Sequence, residues 1–255
     1  MNYEKDRWKS FIPENFKKPE TPFDNSGVLL VDKPAGISSM DALRYIKLVG
    51  SIKKAGHGGT LDPFATGLLV VLLNKATKLS EKIMKGKKEY EGAFLLGKSS
   101  DTQDITGVIK TETEHVPDFS TDELQKYADK FTGSIVQTPP IFSAKKVGGK
   151  PLYKHAREGT QVKINEHHVF VEEFKITEKQ AQNRFSYHIK CGKGTYVRTL
   201  IHDLGRVLNL GGLTESLRRI TTQNFSVKNA HTLNNLLNQE QIKNALIPLD
   251  KLNLL

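Results

Sequence analysis

Twelve residues constrain this chain more than any others: Gly56-His57-Gly58-Gly59-Thr60-Leu61-Asp62-Pro63-Phe64-Ala65-Thr66-Gly67. Four glycines and a proline bracket a single carboxylate, Asp62. Glycine lets backbone approach a ligand closely and adopt positive φ, while Pro63 fixes the chain directly after Asp62. The loop opens onto residues 68–73, six apolar residues in a row that read as a buried strand. Taken alone, the loop reads equally well as a ligand-facing device or as an ordinary surface turn, where Asp-Pro is common.

Around it the chain alternates irregularly between strand and helix signals. Val28-Leu29-Leu30-Val31 predicts another buried strand. Ser38 and Asp41 stand three apart, as in a capping box, ahead of Ala42, Leu43 and Ile46 at helical spacing. The patterns predict a short helix over 77–84, a strand over 90–96, and a helix over 122–131 started by Ser120 or Thr121. Strands 169–177 and 185–191 pair across the polar segment 178–184, and helices follow over 199–208 and 233–245. Without a regular βαβ alternation, the expected fold class is α+β with a mixed, largely antiparallel central sheet flanked by helices. Residues 1–26, broken by Pro13, Pro19 and Pro22 and carrying Lys5, Arg7, Lys9, Lys17 and Lys18, read as a flexible arm. Residues 27–255 read as one catalytic domain.

Charge narrows the function. The chain of 255 residues has 38 Lys and Arg against 28 Asp and Glu, a net charge of +10 that points to a polyanion, most often nucleic acid. Six apolar residues in a row fall far short of the roughly 18 that span a membrane, and the N-terminus has no apolar signal region. The expectation is therefore a cytoplasmic protein with no membrane partner. A lone Cys191 cannot close an intrachain disulfide, and no metal or cofactor is expected.

Several motifs fail on context. Residues 92–99 fit the phosphate-loop expression G-x-x-x-x-G-K-[ST], but their middle is apolar and strand-like, and strand amides cannot converge on a phosphate. Cys191 ahead of His202 and Asp203 suggests a nucleophile and base, yet a lone cysteine in an apolar strand pattern reads as a small core residue. The adjacent His167 and His168 point to opposite faces of a strand and make no metal pair.

The Gly56 to Gly67 segment resembles the active-site signature of the TruB-type tRNA pseudouridine synthases, G-H-x-G-x-L-D-P-x-A-x-G. Further segments match that family in order: Val31-Asp32-Lys33-Pro34-Ala35-Gly36-Ile37-Ser38-Ser39, Lys88-Glu89-Tyr90, and Asp101-Thr102-Gln103-Asp104. After them come Gln137-Thr138-Pro139-Pro140-Ile141-Phe142-Ser143-Ala144, Tyr153-Lys154-His155-Ala156-Arg157-Glu158-Gly159, Lys193-Gly194-Thr195-Tyr196-Val197-Arg198-Thr199 and Leu217-Arg218-Arg219. The resemblance covers roughly residues 27 to 250. Three departures stand out: Gly58 for the usual Thr, Lys145 for the usual Leu, and Gln223 for a glycine that many members carry.

The resemblance implies the pseudouridine synthase fold and an isomerase that converts uridine to pseudouridine at uridine 55 in the T arm (TψC loop) of tRNA. It implies a flipped base, Asp62 as catalytic nucleophile or base, and no cofactor. Arg198 becomes the ion-pair partner that keeps Asp62 charged. Tyr90 becomes the platform for the flipped ring, His57 the residue that fills the vacated space, and Tyr196 and Leu217 the uracil-pocket lining. Lys145, Lys146, Lys150, Arg157, Arg218 and Arg219 become phosphate contacts. The expected partner is the T-arm stem-loop, bound by a monomer with no obligate protein partner. The stop at Leu255 suggests a stand-alone form without the family's PUA-type extension. The rival reading is a basic RNA-binding protein that remodels tRNA without chemistry.

Overall fold

The computed structural model describes residues 6–252. Lys5 of the arm and Leu255, from which the missing extension was read, lie outside them. In chain order the strands are β1 (Gly27–Lys33), β2 (Ala55–His57), β3 (Thr66–Leu73), β4 (Lys88–Leu96), β5 (Lys98–Ser100) and β6 (Ile109–Thr111). There follow β7 (Gly133–Gln137), β8 (Lys146–Val147), β9 (Lys150–Pro151), β10 (His167–Ala181), β11 (Arg184–Cys191) and β12 (Gly212–Thr222). Last come β13 (Phe225–Ser226), β14 (His231–Thr232) and β15 (Ile247–Pro248). The helices are α1 (Ser39–Val49), α2 (Ser80–Lys85), α3 (Thr121–Ala128), α4 (Leu152–Arg157), α5 (Val197–Val207) and α6 (Gln239–Ala245). Among the described residues no helix is long and apolar enough to cross a membrane. The fold is α+β and the sheet is mixed and mostly antiparallel. β1 with β3, β7 with β10 and β10 with β11 run antiparallel, whereas β1 with β14 and β3 with β12 run parallel.

The chain divides into two compact units, Glu89–Leu217 and the two ends Asn2–Lys88 with Arg218–Leu255. No shift in composition accompanies either limit. In the unit built from the ends, β1 and β3 pair from Gly27 opposite Leu73 to Lys33 opposite Gly67. Both strands are buried on both faces, which is why their sequences are unbroken apolar runs rather than alternating ones. Val28, Leu30, Leu68, Val70 and Leu72 share one cluster with Ala76 and Ile83. The capping box forms as its spacing predicts: the Ser38 hydroxyl accepts from the Asp41 amide while the Asp41 carboxylate accepts from the Ser38 amide. From there α1 buries Ala42, Leu43, Tyr45, Ile46 and Val49.

One expectation is corrected in this unit, the last helix. The segment read as an arm carries a 3-10 turn, Arg7–Phe11, with Phe11 edge-on to Tyr45 at 6.5 Å between ring centroids. The Arg7 guanidinium lies against Gly36, where a Cβ would come within 2.4 Å of it. The helix expected over 233–245 is two pieces, the 3-10 turn Leu233–Asn235 and α6. Asn238 caps α6 by accepting from the Gln241 amide, and the Gln241 side chain accepts from the Leu237 amide. Asn is a strong N-cap residue and a weak one in helix interiors, which is why a new helix starts at Asn238.

In the Glu89–Leu217 unit the sheet order is β12-β4-β11-β10-β7. β11 alternates strictly, burying Phe185, Tyr187, Ile189 and Cys191 and turning Ser186, His188 and Lys190 outward. Phe94 of β4 stacks on Phe185 at 5.7 Å. The strand β10 continues to Ala181, past the polar segment that was expected to join it to β11. Residues 92–99 lie in β4 and β5 with Gly97 between them, so no helix N-terminus stands behind the phosphate-loop letters. Cys191 is buried in the sheet, as its strand pattern predicts.

Candidate active site

Asp62 is half-buried, and the residues on both sides of it are pinned. The Ser39 hydroxyl, at the start of α1, accepts from the Leu61 amide at 2.8 Å and lies 3.0 Å from the Leu61 carbonyl, to which it donates. On the other side the Pro63 carbonyl accepts from the Gly36 amide at 2.8 Å and from Lys33 Nζ at 3.3 Å. Lys33 is fully buried and donates also to the Pro34 and Ile37 carbonyls. Burial pushes its pKa down to about 7; the nearby Asp62 carboxylate works in the opposite direction and Arg219 in the same one.

Arg219 completes the support. It is 1% exposed, and its guanidinium donates to the carbonyls of Gly59 at 3.0 Å, Thr60 at 3.3 Å and Leu68 at 2.7 Å. One side chain on β12 therefore ties the start of the Asp62 loop to the strand that leaves it. Gly67 meets the Arg219 backbone so closely that a Cβ would stand 2.3 Å from its carbonyl oxygen, and its φ of +97° is a left-handed conformation that suits glycine. His57 Nδ1 accepts from the Gly59 amide at 3.3 Å, so that nitrogen carries no proton. Burial first, and then Arg219, lower the His57 pKa below its ordinary value.

One expected phosphate contact, Arg219, is thus corrected. Arg219 is enclosed and its donors are committed to three carbonyls, so it is a loop tie. Arg218 is half-buried and grips Asp32 with both terminal nitrogens, at 3.0 and 2.7 Å. Among the others, Lys146 and Arg157 are exposed; Arg157 lies over the Tyr153 ring at 5.7 Å. Lys145 and Lys150 are half-buried, Lys145 donating to the Asn165 carbonyl at 3.2 Å and Lys150 pairing with Glu158. Lys146, Lys150 and Arg157 belong to the β8–β9 hairpin and α4 of the Glu89–Leu217 unit, and Lys145 directly precedes β8.

That unit also holds Tyr90, Tyr196, Arg198 and Leu217. Tyr90 on β4 and Leu217 on β12, neighbouring strands, are both buried. Burial, reinforced by Tyr90, drives the Tyr187 hydroxyl far above its ordinary pKa, and it donates to the Ser216 carbonyl at 2.9 Å. Tyr196 precedes α5 and Arg198 lies in its first turn. Arg198 is buried; it donates to the carbonyls of Thr102 at 2.5 Å and Phe142 at 3.0 Å and pairs with Asp104 at 3.5 Å. Asp104 is itself buried and accepts from the Thr102 hydroxyl and the Thr106 amide. No role for Ser39, Lys33 or Asp104 is legible in the sequence. Their motifs were visible, but the main-chain partners that give Ser39 and Lys33 their role were not.

Two of the three departures from the family pattern have a local structural setting, and nothing in the structure explains Lys145. Gly58 faces Ile83, where a Cβ would come within 2.3 Å of a methyl group. Gln223 holds φ at +52°, the region a glycine enters without strain, and its side chain donates to the Lys82 carbonyl at 2.7 Å.

The comparisons with known proteins agree with one another. Residues 47–197 match the TruB family pseudouridylate synthase N-terminal domain, and residues 198–252 match the tRNA pseudouridylate synthase B C-terminal domain. The tRNA pseudouridine synthase B of Opitutus terrae is 42% identical over 87% of this chain and 92% of its own length. That of Endomicrobium trichonymphae is 41% identical over 88% and 96%. Among solved structures, a chain of a Cbf5-Nop10-Gar1 complex matches with TM-score 0.68 and 26% identity, over 93% of this chain and 68% of that one. A chain of the archaeal box H/ACA sRNP Nop10-Cbf5 complex matches with TM-score 0.64 and 25% identity, this chain spanning 60% of its length. With a family model that covers more than half its length and relatives above 40% identical over most of both chains, this chain belongs to the TruB family of pseudouridylate synthases.

Proposed function

We propose that this protein converts uridine to pseudouridine in tRNA, at uridine 55 of the T arm, with Asp62 as the catalytic carboxylate. The reaction cuts an N-glycosidic bond, turns the base and rejoins it through carbon. It needs a group that stays beside the detached ring, and it needs no net redox change. The observation that carries the reading is the fixation of Leu61 and Pro63, the two neighbours of Asp62, by Ser39 on one side and by Gly36 and Lys33 on the other. A carboxylate held this way keeps its position during reaction, where misplacement by about 1 Å can lower a rate by about 100-fold.

The target uridine lies in a folded loop and is flipped out, at about a few kcal/mol. Stacking on an aromatic platform, the role proposed for Tyr90, returns about 1–3 kcal/mol. His57, Tyr196, Leu217 and Arg198 keep the roles that the family resemblance assigns them. Lys146 and Arg157 remain the exposed candidates for phosphate contacts.

The test is pseudouridine formation on a T-arm stem-loop, read by mass or by tritium release from labelled uridine, with wild type and Asp62→Asn. The exchange keeps the shape and removes the charge. The expected outcome is no turnover by Asp62→Asn with RNA binding and folding retained. Pseudouridine above background from a homogeneous Asp62→Asn preparation removes Asp62 from its role. An inactive wild type that still binds and remodels the RNA favours the non-catalytic reading.

A further inference from the structure

The segment Gln137-Thr138-Pro139-Pro140-Ile141-Phe142 has no role in the chemistry described so far. Gln137 ends β7 and is 1% exposed. A buried carboxamide is costly unless its donor and acceptor are both satisfied. Both are, by one residue: Gln137 Oε1 accepts from the Tyr196 amide at 3.0 Å, and Nε2 donates to the Tyr196 carbonyl at 3.2 Å. Tyr196 stands at the N-cap of α5, in extended backbone, with no side-chain cap of its own. Ser, Thr, Asp or Asn usually occupy such a position because their side chains fix the chain there. Here a side chain 59 residues away holds it instead.

The residue directly opposite Gln137 in the β7–β10 pair is His167. Its ring stands edge-on to Tyr196, with centroids 6.1 Å apart and an interplanar angle of 86°. Its Nε2 lies 3.0 Å from the Gly194 carbonyl, which can only accept, so that nitrogen carries the proton. One cross-strand pair thus grips Tyr196 twice, through the backbone by Gln137 and through the ring by His167. Five residues after Gln137, the Phe142 carbonyl accepts from Arg198.

We propose that Gln137 and His167 are positioning residues for Tyr196, holding its ring at the angle at which it meets the uracil. The inference rests on the base-pocket role proposed above for Tyr196. The flipped base is a flat ring that must be turned and rejoined while it stays bound, so the orientation of the wall beside it bears on rate more than on RNA affinity. Gln137 never touches the substrate in this account; it acts through Tyr196.

The experiment compares wild type with Gln137→Met, which keeps length and removes both hydrogen bonds, on a T-arm stem-loop. Three quantities are read: the single-turnover rate at saturating RNA, the RNA dissociation constant, and the unfolding midpoint. The expected result is a rate lowered by about tenfold or more, with the dissociation constant within about threefold and the protein folded at the assay temperature. A rate within about twofold of wild type overturns the proposal, and so does a rate that falls only in proportion to folded protein. Should Gln137→Met not fold, His167→Ala, which leaves no buried amide unpaired, is read by the same criteria. A wild type that makes no pseudouridine defeats the reading of the function itself, whereas an active wild type with an unimpaired Gln137→Met defeats only this inference.

Discussion

Replacing Arg219 by Gln separates two readings of the same residue. As a phosphate contact, Arg219 would contribute to RNA affinity and little to folding. As a loop tie it donates three hydrogen bonds to the Gly59, Thr60 and Leu68 carbonyls in a nearly solvent-free site. A glutamine amide can keep one of them at most, so two or more are lost. Hydrogen bonds to charged groups are worth about 1.5–3 kcal/mol each, and the abandoned carbonyls stay buried, giving about 3–6 kcal/mol of lost stability. That is a large part of the roughly 5–15 kcal/mol that holds a typical domain together. At about 2–4 °C per kcal/mol for a chain of this size, the unfolding midpoint falls by roughly 6 °C or more. Urea denaturation and thermal unfolding measure the first effect; RNA binding across a salt series measures the alternative. Loss of one phosphate contact lowers the log–log salt slope by about 0.9 and leaves stability within about 0.5 kcal/mol. A stability change below about 1 kcal/mol together with a slope reduced by about one unit would refute the loop-tie reasoning.

Three further predictions concern Ser39 and Lys33 in one unit and Asp104 in the other. Ser39→Ala removes the hydroxyl that both donates to and accepts from Leu61; it is expected to lower stability by about 1–3 kcal/mol and the turnover rate by more than the RNA affinity, measured on one preparation. Lys33 has a folded pKa of about 7 against an ordinary 10.5, so between these values the unfolded chain binds more protons than the folded one. Stability must therefore rise with pH through that window, by at most about 1.4 kcal/mol per unit, and Lys33→Met is expected to flatten the urea-midpoint profile between pH 7 and 10 relative to wild type. Asp104→Asn removes a buried charge facing Arg198 and is expected to destabilise by about 3 kcal/mol; an unchanged urea midpoint would show that Arg198 does not rely on Asp104.

The sequence by itself determined the elements whose cause is local. The Ser38 capping box follows from residues three apart, and it forms; of the two residues offered as the start of the next helix, Ser120 is the one that caps α3. The buried strands β1 and β3 follow from unbroken apolar runs, because a strand covered on both faces has no reason to alternate. Ordered motifs were enough to identify the family. Tertiary structure alone decided how the candidate residues are held within each unit, because the partners are remote and mostly main chain. Ser39 reaches Leu61 across 22 positions, Gln137 reaches Tyr196 across 59, and Arg219 reaches Gly59 across 160. A carbonyl or amide is present at every residue and leaves no mark in the letters. The sequence therefore showed Arg219 as a basic residue beside another basic residue, which reads as an RNA-facing surface. Only folding, which closes β12 against β3 and turns that guanidinium inward, makes it the tie of the Asp62 loop.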